Sequence, residues 1–137
     1  MDRHRLPLAR SLRPLSFSQI HGHQQLIKAL VKTLSPLKHH AYLLVGERGL
    51  GKTTIGRLIA QMLLCPESDE KDSCGQCSVC QQIQQNRHPD VLEVDAASHS
   101  KVEETREIIS QCALAPLHSQ YKIYLIDEVH MLSTHSF

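Results

Sequence analysis

Ala41-Tyr42-Leu43-Leu44-Val45-Gly46-Glu47-Arg48-Gly49-Leu50-Gly51-Lys52-Thr53-Thr54 is the stretch that sets the fold class. Its first five residues are apolar almost throughout, which predicts a strand at 41–45 buried on both faces of a parallel sheet. Gly46 to Thr53 then fits G-x-x-x-x-G-K-[ST] in full, a phosphate-binding loop placed between a strand and a helix. In a chain this long, such a match is expected by chance well under ~1 time in 100. Glycines let the backbone turn tightly so that successive N–H groups face an anion, and the positive end of the next helix adds to the field. Lys52 is then set to reach the β- and γ-phosphates, and the Thr53 hydroxyl to ligate Mg²⁺.

Ile55, Leu58, Ile59, Met62 and Leu63 continue the loop as an apolar stripe at i, i+3, i+4, i+7 and i+8, the packed face of a helix. Upstream, Leu26, Ile27, Leu30, Val31 and Leu34 mark a second amphipathic helix that stops before Pro36. Downstream, Val91-Leu92-Glu93-Val94-Asp95 reads as a strand. Ser100 and Glu103 form a capping-box pair ahead of a helix. Tyr121-Lys122-Ile123-Tyr124-Leu125-Ile126 reads as a further strand ending at Asp127-Glu128. Strand–helix alternation of this kind predicts an α/β fold, with a parallel sheet carrying helices on both faces.

Open α/β sheets place ligands at the C-terminal ends of their strands, and there the last strand delivers two carboxylates. Asp127 is suited to hold Mg²⁺ and Glu128 to orient the water that attacks a γ-phosphate. Alone, two acids ending a strand are an ordinary solvated turn. Together with a phosphate loop some 75 residues earlier they read as the second half of an ATP site.

Cys65-x8-Cys74-x2-Cys77-x2-Cys80 supplies four thiolates, enough to close a tetrahedral Zn²⁺ site with no open coordination position. A closed site is structural. An iron–sulfur cluster or a C-x-x-C redox pair would use the same ligands. Cys112, at an apolar helix position, reads as a small core residue. The ten histidines form no ligand set with these cysteines.

The 137 residues include 41% hydrophobic ones, ample for one core. Net charge is +1, yet residues 1–64 hold 10 basic and 2 acidic side chains, and residues 65–137 hold 5 and 12. No apolar run approaches the ~20 residues of a membrane span, and the arginine-rich start lacks the apolar segment of a secretory signal. The expectation is a cytoplasmic protein without a membrane partner, in which cysteines serve as metal ligands or free thiols.

Arg13-Pro14-x-x-Phe17, His40-Ala41-Tyr42-Leu43, the phosphate loop, the cysteine insertion, Asp95-Ala96-Ala97-Ser98, Lys101-Val102-Glu103 and Tyr124 to Leu132 together resemble the gamma/tau subunits of bacterial DNA polymerase III, from about Leu8 to Phe137. The resemblance implies an AAA+ ATPase of the clamp loader. Its partners would be the other loader subunits, the sliding clamp and primed DNA. It implies that Gly46 to Thr54 bind ATP, that Arg13 and Pro14 line the adenine pocket, and that Lys101 and Arg106 face the DNA backbone in a salt-dependent, sequence-independent way. The chain departs from the family pattern at Ser11-Leu12, His23 and His99.

The resemblance also divides the chain into a basic arm and helix at 1–35 and an incomplete, C-terminally truncated ATPase core at 36–137, with its zinc module at 65–80. The family's sheet order, 5-1-4-3-2, would leave the 41–45 strand without a neighbour in these 137 residues. Two function classes result. One is a clamp-loader ATPase; the other is a non-hydrolysing module that binds nucleotide and zinc. A small-molecule kinase fits less well, because Glu128 after Asp127 suits water activation and the zinc insertion would have no purpose there.

Overall fold

Gly51 stands at the N-terminus of the phosphate-loop helix with φ of +85°, a left-handed conformation that costs glycine little and other residues more. From there α2 runs over Lys52–Leu64. The computed structural model describes residues 13–47, 51–96, 106, 107, 110 and 114–131. It places α1 at Gln24–Leu34, α3 at Ser78–Gln84, β1 at Val91–Asp95 and β2 at Ile123–Asp127. Short 3-10 turns lie at Phe17–Gln19 and Val129–Met131.

The apolar stripe of α2 builds the main core. Ile55, Leu58, Ile59 and Met62 are buried with Leu30 and Leu34 of α1 and with Phe17, and Leu63 packs at the margin. Leu26, at the start of the α1 stripe, is 48% exposed, whereas its neighbour Ile27 packs on the core. A second cluster joins Ala60 of α2, Ile83 of α3 and Val91 of β1, with Ile123 and Leu125 of β2 against them.

β1 and β2 pair in parallel, Val91 with Ile123 through Asp95 with Asp127. This is the expected parallel α/β arrangement, but among the described residues the sheet has two strands. The alternation of a strand turns Val91, Ile123 and Leu125 to the helices, and Glu93 joins them by pairing with Arg57 of α2. Both packed helices therefore lie on one face of the pair. On the helix expected after Ser100, residues 106, 107 and 110 are helical and the others lie outside the described residues.

The strand expected at 41–45 is not formed. The segment carries no strand pairing, and the burial of both its faces is corrected to one. Tyr42 and Leu44 pack on the core cluster, whereas Leu43 is 73% and Val45 85% exposed. The cause is the lack of a partner: backbone N–H and C=O groups form a strand only beside a neighbour, and no described strand lies there. Tyr42 is tied instead to α1, its hydroxyl donating to the Thr33 carbonyl at 3.1 Å.

Candidate functional site

The loop and the carboxylate strand meet. The Thr53 hydroxyl, in the first turn of α2, donates to Asp127 Oδ1 at the end of β2 over 3.0 Å. The contact joins residues 74 apart in sequence, and it arises because α2 packs along β2 through Ala60 and Leu125. Lys52 Nζ donates to the Gly46 carbonyl at 2.5 Å, closing the two ends of the loop on each other. Gly46 and Glu47 are exposed, and Gly51, Thr53 and Thr54 half-buried; Arg48, Gly49 and Leu50 lie outside the described residues.

Glu128 follows in left-handed backbone, φ +57°. A non-glycine residue held there costs roughly 1–3 kcal/mol and marks a constrained site. Its carboxylate is exposed, 3.4 Å from His130 Nε2. One turn along α2 from Thr53, Arg57 makes a two-pronged pair with Glu93 of β1, through Nε to Oε1 and through Nη2 to Oε2 at 3.0 Å. That hydrogen-bonded carboxylate, with Asp127 nearby, holds the guanidinium pKa above its ordinary value despite burial. Arg57 was not singled out from the sequence; its signal was a basic residue inside an apolar helix stripe, opposite an acid inside an apolar strand.

At the other end of α2 four thiols converge. Cys65 caps the helix C-terminus, and Cys77 caps the N-terminus of α3, its sulfur accepting from the Cys80 N–H. The four Sγ atoms lie within 4.8 Å of one another. Between Sγ atoms, Cys65 to Cys74 is 3.6 Å, Cys65 to Cys77 3.7 Å and Cys74 to Cys80 3.9 Å. Thiolates about 2.3 Å from one tetrahedral zinc stand about 3.8 Å apart, so the donor set fits a single ion of that kind. A disulfide would need about 2.05 Å, and all four are free. A multi-iron cluster would spread its ligands further, because separate irons hold them.

Backbone amides prepare the charge. Gln76 and Cys77 donate N–H groups to Cys74 Sγ at 3.5 and 3.2 Å. These amides lower the Cys74 thiol to about 7. Burial raises Cys65 and raises Cys80 more strongly, and a bound cation would act in the opposite direction.

The remaining candidates are dispersed. Arg13 and Pro14 are half-buried in the arm, Arg106 is exposed, and Lys101 and Cys112 lie outside the described residues. His39 packs edge-on against Tyr42, ring centres 5.9 Å apart, in keeping with a non-ligand role. No helix among the described residues is long and apolar enough to cross a membrane.

Residues 22–137 match the family model described as DNA polymerase III, delta subunit. Over 131 residues, 95% of the chain, it is 49% identical to the DNA polymerase III subunit gamma of Buchnera aphidicola subsp. Acyrthosiphon pisum, of which it covers 36%. It is 47% identical over the same length to the subunit tau of Escherichia coli K12, of which it covers 20%. To the subunit gamma/tau of Mycobacterium bovis it is 37% identical over 135 residues, 23% of that protein. The chain thus spans about a third or less of the relatives it matches.

Proposed function

Because the chain belongs to the DNA polymerase III, delta subunit family, we propose that it supplies the ATP-binding and catalytic half of a clamp-loader ATPase, which places the sliding clamp on primed DNA together with other subunits of the polymerase assembly in the cytoplasm. One observation carries this reading: the Thr53 hydroxyl lies 3.0 Å from Asp127, the distance at which one Mg²⁺ can be shared between loop and strand. Gly46 to Thr54 would cradle the phosphates. Lys52 would leave the Gly46 carbonyl for the β- and γ-phosphates, and Thr53 and Asp127 would hold the metal. Glu128 would orient the attacking water, Arg13 and Pro14 would flank the adenine, and Lys101 and Arg106 would meet the DNA backbone. Bound Mg²⁺ would neutralise charge developing on the phosphates.

Calorimetry on the complete protein tests the assignment. Lys52→Ala removes a charge facing the phosphates, and ATP affinity is expected to fall at least ~10-fold; an unchanged affinity defeats the reading. Glu128→Gln is expected to keep ATP binding and lose turnover, since only water activation is touched.

A second reading, nucleotide binding without hydrolysis by these 137 residues alone, is favoured by the unpaired 41–45 segment that feeds the loop. Without strand pairing, 41–45 does not fix the separation of Lys52 from Asp127, and about 1 Å of misplacement costs ~100-fold in rate. Steady-state turnover by the 137-residue chain equal to that of a longer one would exclude it.

A further inference from the structure

The 3-10 turn at Phe17–Gln19 has no cap of its own: Ser16, at the N-cap, makes no side-chain hydrogen bond to the turn backbone. Its leading amides are satisfied from 55 residues away. Asp72 Oδ1 accepts the Phe17 N–H at 2.9 Å and Oδ2 accepts the Ser18 N–H at 3.0 Å. Asp72 stands in the loop between Cys65 and Cys74, the first two of the four thiols, and its orientation is set within that loop. Its N–H goes to Asp69 Oδ1 at 2.8 Å, its carbonyl accepts from Asp69 N–H at 3.0 Å, and its Oδ1 also takes the Ser73 N–H at 2.9 Å.

Two further contacts close the same joint. Gln61, fully buried on α2, donates through Nε2 to the Leu15 carbonyl at 3.0 Å and to Ser73 Oγ at 3.2 Å. Gly75, at φ +73°, sits so close that a Cβ there would come within 2.8 Å of the Leu15 carbonyl oxygen. Phe17, 5% exposed, is thereby held in the core against α1 and α2.

We propose that the four-cysteine module is a setting device for the arm at 13–20, with Asp72 as its positioning residue, so that metal loading governs recognition of the base of a bound nucleotide while leaving its phosphates to the loop. The cause is geometric. The metal closes the 65–74 loop at both ends; the closed loop aims Asp72; Asp72 orders Phe17 and Ser18; and Arg13 and Pro14 follow in register. The last link rests on the reading that these two residues flank the adenine.

Hydrogen–deuterium exchange over residues 15–20 of the complete, zinc-loaded protein tests the first links without reference to activity. Asp72→Asn keeps the volume but turns an N–H donor toward an amide donor. Exchange at 15–20 is expected to rise about tenfold with metal content unchanged. Chelation of the wild-type protein is expected to raise it equally and to add nothing in the variant. Unchanged exchange at 15–20 in either the variant or the chelated protein overturns the proposal; the chelated arm decides if Asp72→Asn does not fold. For the last link, ATP affinity of the variant is expected to fall about tenfold while inorganic tripolyphosphate affinity holds within about twofold. An equal fall of both would show a general loss of structure and overturn the setting role. If wild-type protein binds neither probe, the phosphate-loop reading fails, while the exchange experiment still judges the link from the cysteine module through Asp72 to residues 15–20.

Discussion

Asp90 shows what a single side chain contributes where no motif points to it. It is fully buried and accepts the Leu117 and His118 amides at 2.6 and 2.8 Å, fixing the approach to β2. Burial pushes its carboxyl upward, but the amides it accepts outweigh that and leave it below the ordinary value. His88, buried beside it and accepting the Asp90 N–H through Nδ1 at 3.1 Å, is held below the usual histidine value by that burial. Both groups resist protons in the folded state. The unfolded chain therefore takes up protons first, at His88 below about pH 6.5 and at Asp90 below about pH 3.9, and stability falls as the pH drops through and beneath each value. Asp90→Asn is expected to lower stability at neutral pH by about 1–3 kcal/mol in urea unfolding. It should also flatten the loss below about pH 4; an acid limb as steep as that of the parent would refute the role. Thr53 and Asp127 were legible because a motif names them. Asp90 was not, because an acid two residues after a histidine has no signature until its partners arrive 27 residues later.

The two helices that hold the cysteine module are joined by their ends: Cys65 closes α2 and Cys77 opens α3. Spacing alone made the cysteines a ligand set but left zinc, cluster and redox pair open. The 3.6–3.9 Å separations fit one ion and disfavour a multi-iron cluster. We expect one Zn²⁺ per chain by elemental analysis of protein purified under reducing conditions; iron, or no metal, would contradict this. Cys80→Ser should abolish it and loosen α3, whose Cys80 and Ile83 are buried, with loss of helical circular dichroism. Cys112→Ser should leave the metal content intact. α1, α2 and β1 lie close to where periodicity put them, since each is written in its own residues.

Across the whole molecule the sheet is where the local reading falls short. Leu43 and Val45, exposed on an apolar segment with no described strand beside it, offer unpaired backbone to any other copy. The 137-residue chain is therefore expected to self-associate in a concentration-dependent way by light scattering. Changing Leu43 and Val45 together to lysine should reduce this severalfold while leaving Zn²⁺ content unchanged, and equal association in both proteins would exclude the segment as the cause. From residue order alone came the phosphate loop, the two carboxylates, the thiol set, the family and the parallel α/β class. All of these are patterns carried by near neighbours, by fixed spacing or by chemistry that tolerates few residue types. The folded chain had to supply the rest. It left 41–45 unpaired, it brought Thr53 to Asp127, and it tied the cysteine module to the arm through Asp72 and Gln61. Such contacts join residues 46 to 74 apart through a carboxylate, an amide or a hydroxyl, groups so common in any chain that only packing around the α2 core selects which of them meet.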